Sequence, residues 1–196
     1  MADAHVREAR PQDADEIGRI LVDTWRQAYA KILPTSALQQ LDQAEAAQAW
    51  RLAITNPPGP GHQVFTAYER STTGEQIVGF LAIAPPAEDE KAINAPTAEV
   101  ATVLVEPRWA RRGHGSRLLS AAVAIAAAGK ADQLICWLPM KDKASAAFLQ
   151  SAGWDRDGWT RTLDAGGTDL IQQRFATDIS QSATDPAGRT ELPVVN

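Results

Sequence analysis

The chain has 196 residues but only one cysteine, Cys136, with three histidines and two tyrosines. One thiol excludes an internal disulfide, and one cysteine with scattered His5, His62 and His114 excludes the spacing of a multi-cysteine zinc site, so no metal is expected. No apolar run approaches the roughly 18 residues a membrane-spanning helix needs. The segment Met1 to Arg10 lacks the basic head and apolar stretch of a secretory signal. Positive charge is also short: 19 Lys and Arg against 24 Asp and Glu leave a net charge of −5. Such a balance argues against a chain whose main work is coating nucleic acid or anionic lipid. Together these absences point to a soluble cytoplasmic protein, with neither nucleic acid nor membrane as partner. Large packing side chains are thinner than a hydrophobic fraction of 44% implies, because 36 residues are alanine.

What is present reads as one α/β (α+β) domain over 6–179, with an N-terminal arm at 1–5 and a disordered tail at 180–196. A short strand from His5 to Ala9 leads to a helix with Asp13 as N-cap and Glu16 as its capping-box partner. Ile17, Ile20, Leu21, Thr24, Trp25 and Ala28 then recur at helical spacing. A second helix starts near Thr35 or Ser36, because Pro34 stops the first, and carries Leu38, Leu41, Trp50 and Ile54 on one side. Strands are expected from Gln63 to Glu69 and Gln76 to Ala84 as a hairpin, then from Ala98 to Val105 and Gln133 to Leu138. Helices are expected from Gly113 to Ala128 and Ala144 to Ser151, and a closing hairpin from Gly158 to Leu163 and Asp169 to Ala176. The stretch 85–97, rich in Pro, Glu and Asp, reads as a surface excursion.

Chemistry concentrates between Val103 and Leu119. A buried strand stops at Pro107, a basic loop follows, and Gly113-His114-Gly115 opens an Ala- and Leu-rich helix. Glycines at a helix start leave its N–H groups unobstructed, and the helix dipole favours an anion there. Arg111 and Arg112 add charge, so the segment reads as a phosphate or pyrophosphate cradle. Other phosphate loops fit worse. The string Gly-x4-Gly-Lys-Ser/Thr is absent, and Leu118 stands where a dinucleotide fingerprint has its third glycine. An ordinary glycine-rich helix start is the plain alternative.

The run from Glu99 to Leu119 resembles the acyl-CoA-binding segment of GNAT-superfamily N-acetyltransferases: strand, Val-Glu-Pro, basic loop with Gly-x-Gly, helix. Trp25-Arg-Gln-Ala-Tyr29 with Leu33-Pro34 is similar to the first-helix region of small bacterial-type members. Asp142 to Trp154 matches the later Asn-x-x-Ala-x-x-Phe-Tyr-x-x-x-Gly-Phe segment, and the closing hairpin follows in order. The resemblance implies a mixed, splayed sheet flanked by helices on both faces, with acetyl-CoA as cosubstrate between two parting strands. By position, Val103 and Val105 would pair with the pantetheine arm, and the amides of Arg111, Arg112, Gly113, His114, Gly115 and Ser116 would hold the pyrophosphate. Asp142 stands where the family has Asn, and Phe148 would pack near the cofactor tail. Two positions depart: Ala110 fills the slot of Arg or Gln, and Leu149 that of the Tyr that protonates the departing thiolate.

Glu99 is the candidate general base for an amine acceptor, a solvated strand-start glutamate being the alternative. The amide of Val105 is the candidate oxyanion donor. Trp25 and Tyr29, four apart on one helix face, are candidate acceptor-site walls; Trp25 reads rather as core and Tyr29 as site. His114 is expected to turn its side chain to solvent. Cys136 reads as a buried strand residue without a partner base. The expected function is acetyl transfer to a primary amine of a small molecule, protein or peptide by direct transfer in a ternary complex. The alternative is a non-catalytic acyl-CoA-binding module. A homodimer is compatible with the resemblance.

Overall fold

The computed structural model describes residues 3–71, 74–87, 90 and 95–180. Seven strands form one mixed sheet in the order β1-β2-β3-β4-β5-β7-β6. They are β1 (Asp3–Glu8), β2 (Gln63–Ser71), β3 (Gly74–Ala84), β4 (Thr97–Val105), β5 (Gln133–Pro139), β6 (Asp155–Asp164) and β7 (Asp169–Asp178). Among the described residues five α-helices accompany them: α1 (Ala14–Ala28), α2 (Thr35–Gln39), α3 (Gln43–Thr55), α4 (His114–Ala128) and α5 (Lys143–Ser151). All neighbouring strands run antiparallel except β4 and β5. β1 starts two residues before the expected strand, and Asp3 to His5 of the expected arm pair with Arg70 to Tyr68. The expected tail lies outside the described residues apart from Ser180, as does part of the 85–97 excursion.

Alternation along the strands divides the interior in two. On one face Phe65, Ala67, Leu81 and Val100 pack against Leu118, Leu119 and Ala122 of α4 and Ala146 and Leu149 of α5. On the other Val64, Tyr68, Ile77 and Phe80 meet Ile17 and Ile20 of α1, with Trp50 and Ile54 of α3 alongside. The centre of β3 is buried on both faces, so Ile77 to Ile83 read as a continuous apolar run. Gly18 allows α1 to lie directly on α3: a Cβ there would stand 2.6 Å from the Ala47 nitrogen.

Three local expectations are corrected. Asp13 precedes α1 but its side chain does not cap it. Both carboxylate oxygens instead accept from Arg7, at 2.8 and 3.0 Å, and one also accepts from the Tyr68 hydroxyl at 3.0 Å. Glu16 accordingly serves Arg19 on the next turn rather than a cap. The single second helix is two helices, because Asp42 accepts from the N–H groups of Ala44 and Glu45 and starts α3 anew. The first helix ends at Ala28, with Tyr29 as its C-cap, well before Pro34.

Candidate active site

β4 and β5 are paired only through Thr97, Ala98 and Glu99, against Gln133, Leu134 and Ile135. Beyond Glu99 the two part: β4 stays with β3 up to Val105, and β5 stays with β7 up to Pro139. A bulge helps β4 to turn away. Ala82 faces Thr102 and Ile83 faces Val100, leaving Ala101 as the extra residue. The Glu106 N–H donates to Val78 O on β3. By the alternation of a strand, the peptide groups of Val103 and Val105 are therefore turned to the edge that β5 has left. Gly79 sits opposite Val105, and its missing Cβ would lie 2.5 Å from the Leu104 carbonyl oxygen, so only glycine fits this pairing.

At the end of β4 the chain bends through Pro107–Trp109 and reaches α4. Arg111 (φ 63°) and Gly113 (φ 82°) are both left-handed, which points successive N–H groups to the same side. Among the described residues no side chain caps α4, whereas Asp42 caps α3 and Asp142 caps α5. The first-turn N–H groups of His114, Gly115 and Ser116 therefore have no intrahelical acceptor. Arg111, Arg112 and Arg117 are exposed around this turn, and so is Ala110. Phe148 of α5 seats its ring on Gly115, where a Cβ would come within 2.8 Å of the ring tip. The donor set and the bare glycines suit a phosphate group carried on a slender chain. Among the described residues no group of three or more His, Cys, Asp or Glu is arranged to hold a metal ion.

His114 departs from expectation. Its side chain points inward and is 1% exposed, with Nε2 2.8 Å from the Glu69 carboxylate on β2. Neither ring nitrogen makes a well-directed hydrogen bond among the described residues. Burial holds this imidazole below its ordinary pKa, against the opposing pull of Glu69. Sequence reasoning missed Glu69, although the alternation Phe65, Ala67, Glu69 already places it on the face that α4 covers. Glu106, the acidic residue of the Val-Glu-Pro motif, likewise has a tertiary role that the motif does not announce. It is buried, accepts from Arg108 at 2.6 Å and pairs with Arg19, so it ties α1 to the basic loop.

Glu99 lies where the strands divide, on the face opposite Ala98 and Val100 and beside Ile135 of β5. Burial pushes its carboxyl above the usual range; Arg161 opposes the shift and Glu90 adds to it. Tyr29 donates to Asp142 Oδ2 at 3.2 Å, while Asp142 Oδ1 accepts from the Ser145 N–H at 3.0 Å and so caps α5. Trp25 is half-buried and stacks at a tilt on Tyr29, 5.4 Å between ring centres. Cys136 is fully enclosed and its thiol is pushed up to about 12, so it stays a protonated core residue. Leu149 is fully buried and has no proton to give.

A second group stands on the Glu99 face. Glu90 accepts from Arg161 at 2.9 Å and from the Trp137 indole at 3.0 Å, and Arg174 donates to the Glu90 carbonyl at 2.7 Å. Trp137 and Arg174 are cross-strand partners on β5 and β7. The sequence separation of these residues hides the group from any local motif.

Comparison with known proteins agrees with this geometry. The model of the acetyltransferase (GNAT) family matches residues 19–154. An uncharacterized N-acetyltransferase of Bacillus subtilis, YuaI, is 28% identical over 115 residues; the match covers 59% of this chain and 60% of that protein. Two solved structures share the fold. The ribosomal-protein-alanine N-acetyltransferase of Brucella melitensis has a TM-score of 0.64 at 21% identity, over 88% of this chain and 98% of that one. The PaiA N-acetyltransferase of Thermoplasma acidophilum, solved in complex with coenzyme A, has a TM-score of 0.58 at 14% identity, over 87% and 98%. With the family model spanning most of the chain, and a splayed β4–β5 pair leading into an uncapped glycine-rich helix start, the chain belongs to the acetyltransferase (GNAT) family.

Proposed function

We propose that the chain is an acetyl-CoA-dependent N-acetyltransferase of the cytoplasm that acetylates a primary amine by direct transfer within a ternary complex. The observation that carries this reading is the parting of β4 from β5 directly after Glu99, with the uncapped start of α4 at the far end of β4. The thioester supplies an activated acetyl group when bound. The N–H groups of the α4 first turn, with Arg111 and Arg112, would hold the phosphates, and Val103 and Val105 would pair with the amide-bearing arm along the open edge of β4. Phe148 on Gly115 closes the wall beside that arm.

Glu99 takes a proton from the acceptor's ammonium group and so frees the amine that attacks, and burial gives it a basicity better matched to that task than a solvated carboxylate has. The amine nitrogen forms the new bond to the acyl carbon as the carbon–sulfur bond breaks, with the electron pair leaving on sulfur and the second nitrogen proton passing to water. The Val105 N–H would steady the charge that develops on the acyl oxygen. Leu149 donates no proton, but thiols ionise near a pKa of about 8.5, so the thiolate leaves without an acid and is protonated by water.

Leu149 is also the observation that favours a second reading, a non-catalytic acyl-CoA-binding module. Calorimetric titration with acetyl-CoA, with ADP as control, tests the first step for both. Micromolar binding of acetyl-CoA with little binding of ADP is expected, and absence of heat and of thermal stabilisation would overturn the cofactor assignment. Release of CoA in the presence of an amine then separates the enzyme from the binding module.

A further inference from the structure

We infer that Arg161 and Trp137, braced by Arg174, form an anion-binding subsite for the acceptor, so that the amine presented to Glu99 belongs to a small molecule that also carries a carboxylate. The inference rests on Glu99 serving as the base of an acetyl transfer. It starts from placement. Trp137 is two residues beyond Ile135, the strand partner of Glu99, and so lies on the same face of the sheet. Arg174 is the cross-strand partner of Trp137, and Arg161 stands on β6 opposite Gln172. Base and guanidinium groups are close enough for Arg161 to act on the Glu99 charge.

The donors are also fixed in orientation. The Arg161 guanidinium lies 4.5 Å over the Trp137 ring, and its Nε donates to Gln172 Oε1 at 2.7 Å. Arg174 lies 4.3 Å over Trp159 and is held from behind by Asp157 at 2.7 Å. Stacking and a second hydrogen bond remove most of the freedom of each side chain, which is the preorganisation a planar two-oxygen anion requires. The chain itself supplies the demonstration. The two oxygens of the Glu90 carboxylate are divided between Arg161 Nη1 and the Trp137 indole, one each. A carboxylate therefore fits this corner, and it arrives from a segment outside the sheet rather than from the strands that build the corner.

Accessibility and charge complete the argument. The Arg161 side chain remains 30% exposed, and its Nη2 has no hydrogen-bond partner among the described residues. Trp159 is exposed. Arg161 and Arg174 each already hold a carboxylate, Glu90 and Asp157, so displacing Glu90 frees the Arg161 charge for an acceptor that brings a carboxylate of its own. An acceptor carboxylate would take the place that Glu90 holds, leaving the amine of the same molecule toward Glu99.

The test compares α-amino acids, β-alanine and 4-aminobutyrate with their carboxamides, by CoA release and by calorimetry of the corresponding N-acetyl acids and amides. Wild-type protein is expected to favour at least one acid over its amide by about tenfold or more in kcat/KM, as loss of a charge-assisted pair implies. Arg161→Met and Arg161→Lys are each expected to raise KM for that acid more than they lower kcat, and to shrink the acid-to-amide preference. Glu90→Ala is expected to lower that KM. Amides used as well as acids, or a preference that survives both Arg161 variants, would overturn the inference. If acetyl-CoA binds but no acid in the panel is turned over or bound, the subsite is wrong and the cofactor site stands. If acetyl-CoA does not bind yet N-acetyl acids bind in an Arg161-dependent way, the subsite stands and the acetyltransferase reading falls.

Discussion

The Glu69 carboxylate on β2 stands 2.8 Å from the Nε2 of His114 in the first turn of α4, and both side chains are almost wholly buried. The pair pins the turn proposed to bind phosphate to the sheet beneath it. His114 thus leaves its backbone N–H at the helix start while its side chain anchors that start from below.

Burial lowers the His114 pKa in the folded chain, so the folded state favours the neutral ring. Below the ordinary histidine value of about 6.5 the unfolded chain binds a proton that the folded chain resists. Stability is therefore expected to fall as pH drops below that value, by at most about 1.4 kcal/mol per pH unit for this one group. Thermal melts of wild type and His114→Gln between mildly acid and neutral pH check it. The variant should be less stable at neutral pH and lose the His114 part of the acid slope; an unchanged slope would refute the assignment.

A Cβ on Gly79 would press on the Leu104 carbonyl at 2.5 Å and on the Val105 Cα at 3.1 Å. Backbone cannot swing aside as a side-chain tip can. Gly79→Ala is expected to cost about 1–3 kcal/mol, toward the upper end, and to weaken acetyl-CoA binding by displacing the β4 edge. A melting temperature and affinity equal to wild type would show that β3 and β4 separate more easily than the geometry implies.

Much of this arrangement is legible along the chain because it is local. Alternation and helical periodicity mark the strands and α1, α4 and α5, and glycines mark the turn at Gly113. What escapes is set by distant partners. Asp13 sits correctly before α1, yet Arg7 and Tyr68 occupy its oxygens, so the capping pattern is spent on a tertiary network. His114 turns inward only because β2 offers Glu69 beneath it. The break at Asp42 had a local signal in Asp42-x-x-Glu45, but Leu38 and Leu41 before it and Trp50 and Ile54 after it are each at helical spacing and read as one run. The Glu90–Arg161–Trp137 group joins three segments and has no local signature at all.

If Glu99 removes the acceptor proton, kcat/KM should fall as pH drops through its raised pKa, because the protonated carboxyl is inactive. Glu99→Gln is expected to lower turnover by about 10²–10⁴-fold and to erase that acid limb, with acetyl-CoA affinity nearly unchanged. Parallel pH profiles and calorimetry check both halves. Retention of the acid limb in the variant would assign the base elsewhere.

Asp142 serves two partners, capping α5 through Ser145 and accepting from the Tyr29 hydroxyl. Asparagine caps about as well as aspartate, so Asp142→Asn should leave stability nearly unchanged at neutral pH, whereas Asp142→Ala should cost about 1 kcal/mol or more. The two variants act alike on Tyr29 in one respect: each removes the negative charge that, after burial, pushes its hydroxyl pKa up. Because that pKa is raised in the folded chain, its contribution to stability is present below the ordinary tyrosine value and lost as pH rises above about 10. Ultraviolet titration of tyrosine ionisation, with only Tyr29 and Tyr68 to resolve, should show the later transition moving down in Asp142→Asn. The alkaline loss of stability should shrink with it. A transition that stays in place would mean burial alone holds the Tyr29 proton and that Asp142 acts only as the cap of α5.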